Sequence, residues 1–449
     1  MRNLKRALSL ALASVMVLGL MVVGSGASYA DVTSEENVEA IEVLQAVGAM
    51  VGDDNGNFNP DRNVTRAQMA VVMSNLLDLK VEDFNAADIP FTDVPSWAEP
   101  YVAACYADGI TAGVSDTLYG SDNTVTAAQA ALMMMKALGY FQYSGDFEQD
   151  WTLATIKKGS EIGIFDGITV DRTSPLTRND VAQMALNALK SNMVLFTGEV
   201  GMEIPTAGGQ TINVGYKAEY TARTSANSKY NRIGVGTTDI ASNNQYYVQL
   251  GEELYNGDLK LRGSTDVFGR PANYWEYDGK EVGTYVNYDL LEQEYTTEVT
   301  GKDLYDLLGS STIKDYDLTV VIDGVSDEKT LDEAYFDGAD MNKNNKQGVG
   351  HTGNGTLTQV FVDTESKDII ITIINTYLAR ADKDYDEKKD ELDVTVYGLN
   401  KVGDEYVKVN ESCTNDKDDS EGFTLDGEDF DVADLVEDDA LLVTVADGE

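Results

Sequence analysis

Between residues 35 and 195 apolar positions recur at helical spacing, in three stretches that can be laid over one another. Aligned on Thr65, Thr126 and Thr177, they read Met69, Val72, Met73, Leu76 and Leu77; then Ala130, Met133, Met134, Ala137 and Leu138; then Val181, Met184, Ala185, Ala188 and Leu189. Intervals of three and four put each set on one face of an amphipathic helix, so each predicts a helix with a single buried side. Upstream of every threonine stands a pair of glycines: Gly48 and Gly52, Gly109 and Gly113, Gly163 and Gly167. The first of each pair follows a second apolar pattern (Ile41 and Leu44, Val102 and Cys105, Ile156) and suits the left-handed cap that ends a helix. Each unit reads as helix, glycine turn, short loop and capped helix, over about 35–80, 88–140 and 148–195. A single unit has too little apolar surface to fold alone, so the three must pack on one another.

After Val200 the period changes from helical to alternating. Gln245 to Leu250, Leu318 to Ile322 and Leu392 to Tyr397 are Tyr- and Val-rich runs bounded by Gly, Asp and Asn, which predict antiparallel β-structure. Leu357 to Val362 and Ile369 to Ile374, separated by an Asp-, Glu- and Ser-rich turn, predict a hairpin. Asp303, Leu304, Leu307 and Leu308 predict a short helix near 301–308. The fold class is therefore multidomain: an all-α module of three repeats, then β-rich, antiparallel sandwich-like modules at 201–315, 316–378 and 379–449. The last is acidic and stops straight after a strand, so a fragment or an incomplete final module is expected. A chain of 449 residues agrees with several cores rather than one.

The N-terminus changes the picture of location. Arg2, Lys5 and Arg6 precede an apolar stretch from Ala7 to Val23, and Ser28-Tyr29-Ala30 offers a small-x-small exit. This is the pattern of a secretory signal peptide, residues 1–30, with cleavage after Ala30; the alternative is an uncleaved anchor. No second apolar run of spanning length follows, so no membrane association is expected once the signal is removed. With 77 acidic against 33 basic residues the net charge is -44, which argues against nucleic acid as a partner. The same balance serves solubility, or recruits divalent cations such as calcium; no other cofactor is expected. Only Cys105 and Cys413 are present, too few for a disulfide framework, and Cys105 falls on the apolar stripe of a helix. The single histidine, His351, in a Gly- and Asn-rich loop, is poor material for a catalytic triad or a zinc site.

The helix starts carry the chemistry. Thr65 with Gln68, Thr126 with Gln129 and Thr177 with Asp180 are capping boxes that need no ligand to explain them. Arg66 and Arg178 are different, because a cation beside a helix N-terminus opposes the helix dipole and must be compensated. An external carboxylate, held by the guanidinium fork and free helix N–H groups, is one solution; an internal ion pair with Asp61 or Asp171 is the other. Trp97 and Trp151 occupy equivalent places and could fill the core of their units or stack on a sugar. Asp53-Asp54-Asn55-Gly56-Asn57 lacks the glutamate of a calcium loop and reads as a turn. Asp337, Asp340, Asn342 and Asn344 form a weaker cation candidate.

Gly52-Asp53-Asp54-Asn55-Gly56-Asn57-Phe58-Asn59-Pro60, Val64-Thr65-Arg66-Ala67-Gln68 and Phe91-Thr92-Asp93-Val94-Pro95-Ser96-Trp97-Ala98 together resemble the S-layer homology family. That resemblance implies three repeats with pseudo-threefold symmetry, whose grooves hold pyruvylated secondary cell-wall polysaccharide. The second half resembles in style the extracellular parts of clostridial cell-surface proteins, which by itself implies no activity, and a non-catalytic surface protein that can self-assemble into a surface lattice is the leading expectation. The glycan-contact candidates are then Arg66, Arg178, Gln68, Asp180, Trp97, Trp151 and the loop glycines Gly52, Gly113 and Gly167. Two departures stand out: Ala127 replaces the arginine in repeat two, which predicts a weakened groove there, and repeat three has a shorter loop before Leu176. A wall-anchored adhesin using Tyr274-Trp275-Glu276-Tyr277, or a wall-anchored glycan-active enzyme, are the competing functions. Against the enzyme, the β-rich half offers no nucleophile motif, no metal-ligand spacing and no recognisable carboxylate pair.

Overall fold

The structure is a computed structural model that describes residues 29, 31–32, 37–147, 150–205, 211–225, 240–241, 245–255, 257–326, 339–384, 391–392, 394–402, 405–410, 413–414, 436–444 and 446. Except for Tyr29, the expected signal peptide lies outside them, as does Asp337. The chain divides into two compact units, Gly26–Arg262 with Trp275–Val282, and Gly263–Tyr274 with Gly283–Glu449. Among the described residues no helix is long and apolar enough to cross a membrane.

In the first unit the three repeats supply α1 (Val38–Ala46) and α2 (Arg66–Leu76), α3 (Glu99–Ala107) and α4 (Ala127–Ala137), and α5 (Trp151–Glu161) and α6 (Arg178–Lys190). The first helix of each pair ends as the glycines predict, with Gly48, Gly109 and Gly163 at φ of 74°, 69° and 76°. The next amide then turns back to a carbonyl of the last turn: Ala49 N to Leu44 O at 2.9 Å, Ile110 N to Cys105 O at 2.8 Å, and Ile164 N to Gly159 O at 2.9 Å. All three second helices carry complete capping boxes at Thr65, Thr126 and Thr177.

The apolar stripes are buried as their period predicts. Met69, Met73, Leu76, Met134, Leu138, Val181, Met184 and Leu189 have no exposed surface, while Leu77 and Ala137 at the ends of their stripes are half-buried. Burial of a Leu or Met side chain of this kind stabilises by about 1.5–3 kcal/mol. Each second helix packs on a helix of another repeat: α2 on α3, α4 on α5, and α6 back on α1. The extended segments leading into the caps make the same circuit in hydrogen bonds. Val64 N donates to Leu176 O, Leu176 N to Val125 O and Val125 N to Val64 O, each at 2.9–3.0 Å, so the bonds close a ring through three buried residues.

The first unit continues in a long hairpin of β1 (Val194–Pro205) and β2 (Thr211–Ala222), antiparallel with two register shifts. Then follow short strands β3 (Thr224–Ser225), β4 (Ile240–Ala241) and β5 (Gln245–Tyr247) and helix α7 (Leu250–Tyr255); next in the chain is strand β6 (Leu259–Thr265), of which only the residues up to Arg262 belong to this unit. Strands β7 (Pro271–Tyr277) and β8 (Lys280–Val286) are joined by Asp278 and Gly279, both at positive φ (50° and 75°), the pairing a tight two-residue hairpin demands. Trp275 is fully buried and its indole N–H donates to Glu39 Oε1 at 2.6 Å. The central aromatic of the candidate adhesive cluster is thus a packed strand residue.

The second unit is built on a sheet of order β10-β12-β11-β9, from β9 (Leu291–Tyr295), β10 (Asp317–Ile322), β11 (Thr356–Asp363) and β12 (Asp368–Asn375). β11 and β12 form the expected hairpin, but β10 pairs with β12 in parallel. That is open to it because a long stretch separates Ile322 from Asp368, enough for a crossover. The sheet is covered by α8 (Gly301–Asp315), whose Leu304 and Leu308 join Val320, Ile322, Ile369, Ile371 and Ile373 in one core. A helix therefore takes the place of the second sheet that a sandwich requires. The helical segment also runs beyond the expected 301–308, past a non-helical Gly309 at φ 75°. The division expected at 315–316 falls inside this sheet, whose β9 edge precedes it in the chain. A second sheet of order β15-β14-β13-β16 uses β13 (Tyr377–Ala381), β14 (Val394–Val402), β15 (Glu405–Asn410) and β16 (Ala440–Val443), all antiparallel.

Candidate functional site

The two arginines point away from their own helices and into the loop of another repeat. Arg66 is 8 % exposed; its Nε donates to Tyr119 O at 3.0 Å and its Nη2 to Ala112 O at 2.7 Å. Its guanidinium lies over the Tyr119 ring, 4.8 Å from the centroid. Arg178 repeats the arrangement on repeat one, with Nε on Phe58 O at 2.7 Å, Nη2 on Val51 O at 2.8 Å and the Phe58 ring at 4.5 Å. Burial lowers the pKa of Arg178, although a guanidinium stays charged at any pH of interest. The compensation demanded by each helix dipole is thus a pair of backbone carbonyls and an aromatic face, neither of the two partners anticipated from sequence.

The N-termini of α2, α4 and α6 have no spare donors in their first three positions. At the first and second helical positions the amides of Arg66 and Ala67 go to Asn123 O and Ser121 O, those of Ala127 and Ala128 to Ser174 O and Arg172 O, and those of Arg178 and Asn179 to Arg62 O and Pro60 O. At the third, the amides of Gln68, Gln129 and Asp180 go to the cap threonines. Gln68 and Asp180 return the bond with their own side chains, to Thr65 N at 3.0 Å and Thr177 N at 2.9 Å. These helix starts bind loops.

Ala127, which stands in place of the arginine, is fully buried. The charge absent there is supplied from the loop that α4 caps, a residue the sequence reading passed over. Arg172 Nη1 donates to Ile168 O at 3.0 Å and Val170 O at 3.1 Å, with the guanidinium 4.5 Å from the Phe165 ring centroid. Its Arg-to-carbonyl and Arg-to-ring contacts match those of Arg66 and Arg178 in kind. No helical stripe marked it out.

The loops are fixed by a second pair of devices. Asp93 accepts from Tyr119 N and Gly120 N, both at 2.7 Å, and Asp31 accepts from Phe58 N at 2.7 Å and Asn59 N at 2.6 Å. Two residues before each aspartate an aromatic ring packs on the loop: Phe91 lies 5.5 Å from Tyr119, Tyr29 lies 5.5 Å from Phe58, each pair tilted at 40°. A Cβ at Gly113 would collide with Phe91 and with the Ser115 and Leu118 carbonyl oxygens, and one at Gly52 with Tyr29 and the Asn57 carbonyl oxygen, so ring and loop backbone together require glycine at both. Gly167, at φ 76°, is held by conformation rather than by a ring. Repeat one therefore starts before residue 35, at Tyr29-x-Asp31-Val32, which matches Phe91-x-Asp93-Val94.

Burial acts against the Asp93 carboxylate, yet the N–H groups of Tyr119 and Gly120 hold its pKa below the ordinary range. A depressed carboxylate pKa contributes stability above the unfolded value near about 3.9, and that contribution is lost as pH falls through the lower folded value. Asp93→Ala is expected to cost about 1–2 kcal/mol at neutral pH and to melt with a shallower decline than the wild type below about pH 4. Parallel melting curves of the two proteins across the acid range would refute the assignment.

Both tryptophans are exposed, Trp97 by 54 % and Trp151 by 40 %, so neither is the bulky core its size suggests. Each stands at or just ahead of the first helix of its repeat, Trp151 opening α5 and Trp97 two residues before α3. Cys105 is a core residue, fully buried, 3.2 Å from Ser74 Oγ, and burial pushes its thiol up to about 12. Asp53 accepts from Asn55 N and Asn57 N within its own loop, the turn expected there. Among the described residues no cluster of three or more His, Cys, Asp or Glu side chains is arranged to hold a metal.

The sequence profile of the S-layer homology domain matches residues 28–70 and 90–131. A "Cell surface protein" of Thermoanaerobacter kivui is 26% identical over 422 residues, 91% of this chain and 48% of that protein. A "Surface-layer 125 kDa protein" of Lysinibacillus sphaericus is 30% identical over 160 residues, 32% of this chain and 13% of its own length. An "Endoglucanase" of a Bacillus species is 32% identical over 108 residues, 22% of this chain and 12% of that enzyme. The chain thus spans about half the length of the first of these relatives and far less of the others. With the matched repeats, their shared loop geometry and relatives of the surface layer, the chain is an S-layer homology-domain protein of the bacterial cell surface.

Proposed function

We propose that the three repeats, related by a pseudo-threefold axis, hold this protein non-covalently to pyruvylated secondary cell-wall polysaccharide, as a non-catalytic component of a surface lattice. The observation that carries the reading is the pair of exposed tryptophans at equivalent places in two repeats. Each offers a flat apolar face with a polar edge, the combination that stacks on a sugar ring. The ring of bonds through Val64, Leu176 and Val125 supports the symmetry. It also gives the stacking residues a rigid base, because α3 and α5, at whose starts they stand, each pack on a helix of a neighbouring repeat. In this reading Arg66, Arg178 and Arg172 shape the grooves by holding the loops, and the net charge of -44 leaves room for calcium to order the assembled layer.

The full chain should sediment with native wall sacculi and stay in solution with sacculi stripped of their secondary polysaccharide. Trp97→Ala together with Trp151→Ala should weaken retention by about tenfold while leaving the melting temperature nearly unchanged. Equal retention on native and stripped sacculi would sink the proposal.

A further inference from the structure

We propose that the leader is removed between Ala27 and Ser28 rather than after Ala30, so that the mature chain keeps Tyr29 as a structural residue of the first repeat. Tyr29 lies in the stretch that the signal-peptide pattern assigns to the discarded leader. Its ring nonetheless packs on Phe58, and its hydroxyl oxygen accepts the Gly52 N–H at 2.7 Å. A Cβ at Gly52 would collide with this ring as well as with the Asn57 carbonyl oxygen of its own loop, so the glycine leaves free the space that the ring fills.

The second repeat provides an internal control that no export peptidase touches. Phe91 makes the same contact with Tyr119 that Tyr29 makes with Phe58, and Asp93 receives the same two backbone donors as Asp31. Phe91 is 8 % exposed and closes over Gly113 as Tyr29 closes over Gly52. The tyrosine contact is therefore a recurring part of the repeat and not an accident of a leader lying on the surface. Cleavage after Ala30 would remove the ring and make Asp31, which anchors the loop through two N–H groups, the frayed first residue of the chain.

The sequence offers an alternative bond. An export peptidase selects small side chains at the last and third-last positions of the leader, a requirement met by Ser28 and Ala30 but equally by Ser25 and Ala27. Hydrolysis of the Ala27–Ser28 peptide bond consumes one water, leaving a carboxylate on Ala27 and an amine on Ser28. It acts on the extended chain during export, before the repeat folds.

N-terminal sequencing and intact mass of the protein secreted by a Gram-positive host will test this directly. A mature chain starting at Ser28 is expected; one starting at Asp31 overturns the proposal. Purified chains starting at Ser28 and at Asp31 should differ in melting temperature, the shorter melting lower by at least about 3 °C. Equal melting would overturn the role given to Tyr29. Neither readout depends on polysaccharide binding, so both stand or fall apart from the anchoring function.

Discussion

Arg66→Ala is expected to lower the stability of the first unit by about 2–4 kcal/mol, one of the largest effects of any single truncation in the repeats. The guanidinium holds Tyr119 O and Ala112 O from a position that is 8 % exposed, and hydrogen bonds from a charged donor contribute about 1.5–3 kcal/mol each where they are buried. Truncation leaves two carbonyls without that donor and removes the cation from the Tyr119 face. For a unit of this size the loss corresponds to a melting temperature lower by roughly 5–12 °C. Arg178→Ala should follow with a smaller loss, because its outer bond to Val51 O is exposed and water can replace the donor. If Arg66→Ala melts like the wild type and instead loses wall binding, the arginine is a ligand residue and not a loop clamp.

The second large effect is at Ala127. Putting back the arginine that this repeat lacks is expected to destabilise it by about 2–4 kcal/mol, since the position is fully buried and overpacking adds to the cost of an unpaired charge. The loop that α4 caps already has its guanidinium in Arg172, on Ile168 O and Val170 O. Removing that occupant should make room. Arg172→Ala alone should be destabilising by about 1–3 kcal/mol, and Ala127→Arg with Arg172→Ala should recover at least half of the summed loss. A double-mutant cycle measured by chemical denaturation isolates the coupling. Simple additivity of the two changes would mean that they do not share a seat, and a neutral Ala127→Arg would mean that the position accommodates the longer side chain without overpacking.

How much of this was legible in the sequence depends on the range of the interaction. The capping boxes at Thr65, Thr126 and Thr177 and the left-handed Gly48, Gly109 and Gly163 involve residues within a turn or two, and they stand where local pattern puts them. Helical period likewise identified Met69, Met134 and Val181 as buried. What period cannot carry is the direction of a long side chain. Arg66 and Arg178 were recognisable as cations needing compensation, but the carbonyls that compensate them lie 46 to 127 residues away along the chain. Arg172 was silent for the opposite reason, because it acts from a loop with no periodicity to interrupt. Trp97 and Trp151 defeat the equation of bulk with burial, since Met, Ala and Leu side chains already fill the interior and leave the indoles outside. In the second unit the stripe at Leu304 and Leu308 located the helix, whereas the parallel neighbour of β12 depends on a crossover that no local pattern encodes.

The circuit of hydrogen bonds from Val64 to Leu176 to Val125 and back has a bearing on copy number. An open array of repeats can gain or lose a unit at either end, because each new copy finds the same exposed edge as the last. Here α6 returns to α1, so the edge a further copy would need is already occupied. A fourth repeat has nowhere to dock, and deletion of one leaves two edges facing a gap they cannot close. Duplication within such a chain can therefore succeed only in multiples of the whole circuit. The order in which the peptide visits the units, by contrast, matters little to the bonds between them. A version reconnected from the end of the third repeat to the start of the first, and opened between two others, should reach the same fold.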